Sequence, residues 1–173
     1  MGCIASKTLK KYNDSLDKSR WNGKPKEMDE FDSLVWKDTK PFVVPLKEGK
    51  VIKVYDGDTI TIANRLPLKN CDDIFRFSVR LNGIDTPEMR GNNDDEKQAA
   101  KNAKEALSKL ILNKHVILKN VGSEKYGRVL ADVYLEDLNI NKWMIEKRFA
   151  LKYDGGTKQI PTSWLKYTED GSM

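Results

Sequence analysis

Cysteine and histidine are scarce in this sequence. Its 173 residues include two cysteines, Cys3 and Cys71, and one histidine, His115. Two thiols so far apart do not make a disulfide scaffold, and they fit a reducing compartment. A lone histidine, with no second histidine and no serine or cysteine nucleophile pattern, is no candidate for catalysis or metal binding. His115 reads as the start of a strand and Cys71 as a bystander in a polar loop. No apolar run approaches the roughly 20 residues of a membrane-spanning helix. The N-terminus lacks an apolar core, so no secretory signal peptide is expected. No internal repeat is present.

Apolar residues make up 39% of the chain and charged residues 33%, with a mean hydropathy of −0.64. That suits one soluble domain with a modest core and leaves room for a disordered segment. The net charge is +5 and the pI about 9.0. The lysines are spread along the chain, so the charge is a field rather than a tail, compatible with a polyanionic partner.

Met1-Gly2-Cys3-Ile4-Ala5-Ser6-Lys7 matches the N-myristoylation pattern, with Gly2 behind the initiator and Ser6 in place. Cys3 beside it is a natural palmitoylation site, and Lys7, Lys10 and Lys11 follow. One myristoyl chain binds membrane with K of only about 10⁴ M⁻¹, so stable anchoring takes a second chain or a basic patch. This terminus offers both. The expected location is the cytoplasmic face of a membrane in a eukaryotic cell, or in the host cell of something that infects one. The competing reading is an ordinary polar start and a cytoplasmic protein. Thr8 to Lys40 is charged and lacks periodicity, with Trp21, Phe31, Leu34, Val35 and Trp36 thinly scattered. It reads as a linker with one short helix near Glu30 to Trp36, or as a segment whose aromatics dock on the domain. The expected organisation is an acylated tail and linker over 1–41, a folded domain over 42–155 and a weakly ordered tail over 156–173.

Within the domain, Val51 to Tyr55 is rich in β-formers and runs into Asp56-Gly57, a hairpin signal. Thr59-Ile60-Thr61-Ile62 alternates with period two. A loop follows to Asp73, then a third strand from Ile74 to Leu81, ended by Asn82-Gly83. Asn93, with Glu96 three residues on, forms a capping box for a helix. Ala100, Ala103, Leu107, Leu110 and Ile111 share one face of that helix, and Asn113 stops it. The opposite face from Lys97 to Lys109 is solvated, and Asp94-Asp95-Glu96 serves the positive helix end. Val116 to Leu118 and Val129 to Leu135 are the fourth and fifth strands. Asp137-Leu138-Asn139 turns the chain into a short helix, Asn141 to about Arg148, in which Trp143 and Met144 pack. Five short strands interrupted by one long helix suggest an α+β, mostly β fold: a small, partly open OB-fold barrel with helices outside. Such barrels are platforms for single-stranded nucleic acid.

Asp56-Gly57-Asp58-Thr59 and Arg80 through Glu88 put carboxylates at turns and strand ends, and Lys125-Tyr126-Gly127-Arg128 adds a second arginine. Taken singly, each is more often a turn or a solvated residue. Together, on this strand plan, they are far more specific. Asp58 begins one strand and Asp85 follows another. Adjacent strands lie about 4.8 Å apart, so the two carboxylates can share an ion. The Thr86 carbonyl is a natural third ligand, because Pro87 biases Thr86 toward extended backbone. Oxygen donors of this kind suit Ca²⁺, at an affinity toward about 10⁻⁴ M because the protein supplies few carboxylates. Glu88 is placed to accept a proton from water. Arg80 and Arg128 bring forked donors for a phosphate, which lysine would not match. Asp56, Thr59 and Tyr126 are candidates for supporting these groups.

With these residues in order, the chain resembles the staphylococcal nuclease (thermonuclease) family from about Val51 to Ala150, with Ile140-Asn141 a further match. The resemblance implies calcium on Asp58, Asp85 and the Thr86 carbonyl, and Arg80, Glu88 and Arg128 as the catalytic trio. It implies cleavage of DNA and RNA with little sequence preference, leaving 3′-phosphates and 5′-hydroxyls. Non-enzymatic relatives, such as the repeats of Tudor-type nucleases, lose these acids and arginines; this sequence keeps each of them. Acylated, calcium-dependent relatives occur in plants. Three departures stand out. Arg148 replaces a glycine common after the helix. Asp154-Gly155-Gly156 and a short tail replace a long C-terminal helix. Tyr153 is the nearest counterpart of the base-stacking aromatics.

The expectation is therefore a monomeric, membrane-tethered, calcium-dependent endonuclease acting on DNA and RNA, single strands favoured. The alternatives are an OB-fold module that binds nucleic acid without cutting it, and a membrane adaptor or calcium sensor. A site with two carboxylates argues against the sensor, because resting cytosolic calcium would leave it mostly empty.

Overall fold

Alternating β-branched residues bury one face of each main strand, and those faces close on one another. A computed structural model describes residues 33–67, 72–91, 93–124 and 126–173. The expected acylation sites Gly2 and Cys3, the loop cysteine Cys71 and Lys125 lie outside the described residues. The chain divides into two units, Met1–Lys40 and Pro41–Met173. In the first, the described residues carry one 3₁₀ turn, Trp36–Asp38; the start of the short helix expected near Glu30 to Trp36 lies outside the described residues.

The second unit contains strands β1 (Glu48–Val54), β2 (Thr59–Arg65), β3 (Ile74–Leu81), β4 (Ile84–Asp85), β5 (His115–Ser123), β6 (Val129–Leu135), β7 (Leu138–Asn139) and β8 (Leu151–Lys152). Its helices are α1 (Asp94–Ile111), α2 (Ile140–Glu146) and α3 (Trp164–Asp170). Strands β3, β2, β1, β5 and β6 pair in that order, antiparallel throughout. A parallel pairing of Val79, Arg80 and Leu81 with Val129, Leu130 and Ala131 joins β3 to β6 and closes the barrel. The five-stranded barrel with outer helices is thus the architecture expected, but closed rather than partly open. Val51, Ile60, Ile62, Val79, Leu81, Val116, Leu118, Ala131 and Val133 fill the interior. Each fully buried valine or isoleucine contributes about 1.5–3 kcal/mol relative to exposure.

Helix α1 covers the barrel with Ala103, Leu107 and Ile111. Leu110, expected on the buried face, is only half-buried. Ala99 is buried instead, against Trp164 and Tyr167. Asn93 caps α1 by accepting from the Glu96 N–H (2.8 Å). The Glu96 carboxylate reaches out of the helix to the backbone N–H of Glu88 (3.2 Å).

The stretch after Tyr153, expected as a weakly ordered tail, contains α3. Ser163 caps it, and Gly171 ends it at φ +87°. Asp95 of α1 accepts from Ser163 Oγ (2.7 Å) and the Trp164 N–H (2.7 Å), which fastens the helix start. Seven residues with two apolar anchors three apart do not announce themselves as a helix; the tertiary contact with α1 makes it one. At the end of α2, Phe149 N–H bonds the Met144 carbonyl and Arg148 sits at φ +59°. This is the left-handed cap that glycine usually fills. The departure at Arg148 therefore falls on a strained residue. No helix among the described residues is long and apolar enough to cross a membrane.

Candidate active site

Strand register brings the sequence-distant groups together. Thr59, the first residue of β2, lies opposite Arg80 of β3, and Arg80 lies opposite Leu130 of β6. Asp58 immediately precedes β2, and its carbonyl accepts from the Leu81 N–H (2.8 Å). Arg128 immediately precedes β6. Asn82-Gly83, with Gly83 at φ +75°, turns the chain from β3 into β4, which carries Asp85 and pairs with β8. Buried Asn141 fixes that turn, donating to the carbonyls of Asn82 (2.8 Å) and Ala131 (3.2 Å) and accepting from the Val133 N–H (2.9 Å).

The Asp56-Gly57 hairpin joins β1 to β2 as expected, but its glycine serves close approach rather than a positive φ. A Cβ on Gly57 would stand 3.0 Å from Thr86 side-chain atoms and 3.1 Å from the Ala103 Cβ. The missing side chain thus lets the Asp58 loop pack against the Thr86 loop and α1. The Asp56 carboxylate stabilises the turn by accepting from the Asp58 N–H (3.2 Å).

The two proposed metal-binding carboxylates flank one guanidinium. Arg80 Nη1 lies 2.5 Å from Asp58 Oδ2, and Nη2 lies 3.5 Å from Asp85 Oδ1. Thr59 Oγ1 donates to the other Asp58 oxygen (2.8 Å). Asp58, Asp85 and Thr86 are all buried, at 4–5% exposure. Burial pushes the Asp58 pKa up to about 6 against the opposing pull of Arg80, with Asp56 adding to the rise. Asp58 thus keeps a raised pKa even beside the Arg80 guanidinium. Glu88, by contrast, is exposed.

Arg128 is aimed by a residue that sequence reasoning missed. Its Nε donates to Glu124 Oε2 (3.2 Å), its Nη1 lies 3.3 Å from Thr59 Oγ1, and Glu124 also accepts from the Tyr126 N–H (3.1 Å). The hydrogen bond with Arg128 holds the Glu124 carboxyl below its ordinary pKa and raises that of Arg128. Lys158 is the second residue missed. Its Nζ lies 2.9 Å from Asp85 Oδ1 and 3.1 Å from Glu88 Oε1. Burial works against its ammonium, but the hydrogen bonds to Asp85 and Glu88 prevail and its pKa lies above the lysine norm. Neither residue had a local signal, since each belongs to a common charged type in an irregular segment.

One cleft of about 930 Å³ is lined by Asp58, Arg80, Thr86, Glu88, Arg128 and Lys158, with Tyr126 and Tyr153 at its edge. Asp85 is not among the lining residues, but its carboxylate pairs with Arg80 and Lys158, which are. Five of the six expected site residues thus line this cleft, and the sixth, Asp85, is paired with two of its lining residues. Tyr126 is exposed, with the Arg128 guanidinium 5.9 Å from its ring centre. Tyr153 is half-buried and anchored by its N–H to the Gly83 carbonyl (3.0 Å).

The donors at the metal position are carboxylate and carbonyl oxygens, the chemistry of a hard divalent cation. The buried carboxylates of Asp58 and Asp85, on either side of Arg80, fit such an ion. Among the described residues no three or more His, Cys, Asp or Glu gather as a metal-holding group. A bound ion would therefore take most of its remaining oxygens from backbone and water.

Residues 78–166 match the family model described as staphylococcal nuclease homologue. An uncharacterized endonuclease of Haemophilus influenzae is 36% identical over 104 residues, covering 60% of this chain and 51% of that protein. An uncharacterized endonuclease of Escherichia coli is 28% identical over 107 residues, 61% of each chain. A probable staphylococcal-like nuclease, CAN1, of Oryza sativa subsp. japonica is 28% identical over 97 residues, covering 56% of this chain and 28% of that protein. The chain spans about half to three-fifths of the length of the two bacterial relatives.

Proposed function

The chain belongs to the staphylococcal nuclease homologue family, and from that premise we propose that it is a calcium-dependent endonuclease hydrolysing phosphodiester bonds of DNA and RNA. The observation that carries this reading is the meeting of two carboxylates, an exposed glutamate and two arginines at one cleft. Asp58, Asp85 and the Thr86 carbonyl would hold the calcium ion. When bound, the ion supplies Lewis-acid polarisation and neutralises charge on the phosphate. Arg80 and Arg128 clamp the phosphate oxygens and offset the charge that builds in the transition state. Glu88 accepts the proton of the attacking water as that oxygen bonds to phosphorus; the ester oxygen on the far side departs and takes up a proton. Single strands are the favoured substrate on this reading, since OB-fold barrels serve as platforms for them, and the domain acts as a monomer.

Acyl chains on Gly2 and Cys3 would hold this domain at the cytoplasmic face of a eukaryotic membrane. The support is the Gly2-to-Ser6 pattern with its neighbouring cysteine and lysines. Incorporation of a clickable myristate analogue, lost in Gly2→Ala, tests it.

The activity test incubates the purified protein with single-stranded DNA in about 1–10 mM calcium, well above the expected affinity, or in chelator, beside Glu88→Gln. Cleavage in calcium, absent in chelator and greatly slowed in the variant, is the expected result. Binding without cleavage would replace this reading with a nucleic-acid-binding barrel.

A further inference from the structure

The segment after β8 brings a cation into the acidic cleft that the proposed chemistry does not use. Gly155 turns at φ +94°, Asp154 Oδ1 accepts from the Gly156 N–H (3.0 Å), and the chain returns over the cleft to Lys158. The Lys158 ammonium bridges Asp85 Oδ1 at 2.9 Å and Glu88 Oε1 at 3.1 Å, so it stands between a proposed metal ligand and the proposed base. Its side chain is 39% exposed and its segment is irregular, so no packing demand explains the pairing.

We propose that Lys158 is a resident counter-cation of the cleft, which a divalent ion must displace and which thereby sets the site's calcium affinity. The proposal rests on the calcium reading above. Calcium sits about 2.3–2.6 Å from its oxygens. An ion on Asp85 would therefore face an ammonium on the same oxygen, a like charge with little water between. Displacement relieves that repulsion. It also unties Glu88, so one event loads the metal position and frees the base. The bridged and released positions of Lys158 form a pre-equilibrium, and the apparent affinity falls by the fraction of molecules in which the ammonium is released.

Calorimetric titration of the full chain with calcium, beside Lys158→Met and Lys158→Arg, tests this directly. If the bridge holds about nine molecules in ten, Lys158→Met binds calcium roughly tenfold more tightly, and Lys158→Arg stays near the unmodified protein. In the unmodified protein, calcium also speeds amide hydrogen exchange over residues 155–159, a readout that needs no variant. Calcium bound equally, or more weakly, by Lys158→Met overturns the inference and leaves the calcium reading standing. Unchanged exchange over 155–159 on calcium binding does the same. Calcium bound by none of the three proteins overturns both.

Discussion

Replacing Asp58 with asparagine should stabilise the metal-free protein. Burial raises the Asp58 pKa from 3.8 to about 6, and a shift of about two units corresponds to about 3 kcal/mol. The sign follows from proton binding. Between pH 3.8 and about 6 the folded state holds this proton more firmly than the unfolded state, so stability falls as pH rises through that window. Above it, the whole penalty for a buried charge is present. Asparagine keeps the shape and carries no charge, and Asp58 is 4% exposed, so solvent screens little of the effect. The expected gain at pH 7.5 in chelator is about 1–3 kcal/mol, or roughly 2–10 °C in melting temperature. The assay is thermal and urea unfolding followed by tryptophan fluorescence from pH 4 to 8. Calcium at about 100 times its dissociation constant should stabilise the unmodified protein by about 2.7 kcal/mol and leave the variant unmoved, so the ranking narrows or reverses. A variant less stable than its parent in chelator at pH 7.5, with the same pH slope, would show that Arg80 fully compensates the buried charge and would refute the reasoning.

Arg148→Gly should raise stability by about 0.5–1 kcal/mol, read from the urea midpoint, because a left-handed arginine is strained where glycine is not. Glu124→Gln should lower kcat/KM about tenfold, equivalent to about 1.4 kcal/mol, while the melting temperature stays nearly constant, since the half-buried Glu124 loses its charge and not its packing. Trp164→Ala should cost about 3 kcal/mol by emptying the cluster between α3 and Ala99. An unchanged melting temperature would mean that α3 contributes nothing to the fold.

The parts of this fold legible in the sequence are those whose signals are local. Thr59-Ile60-Thr61-Ile62 alternates because one face meets the core, and Asn93 announces a helix by the amide it can accept. The site motifs were legible as a set because the strand plan gives their order a meaning. Strands β4 and β8 are two residues each and carry no period, so the pairing that positions Asp85 was invisible. Gly57 reads as a hairpin glycine, yet its reason is the approach of Thr86 and Ala103, far along the chain. Ala99 is buried because of Trp164, and Trp164 is ordered because of Asp95. Lys158 and Glu124 stay hidden among 31 basic and 26 acidic residues until the fold selects them.

The parallel seam between β3 and β6 also governs when the site can exist during synthesis. Arg80 and its register partner Leu130 are 50 residues apart. At roughly 5–20 residues per second, translation takes about 3–10 seconds to cover that distance. Throughout that interval the β3 edge that β6 will cover stays open, Arg128 is not yet made, and the acidic loops lack the second half of their phosphate clamp. Lys158 arrives later still. On the proposed reading, late closure keeps the growing polypeptide harmless to the message being read until β6 and Lys158 have been made.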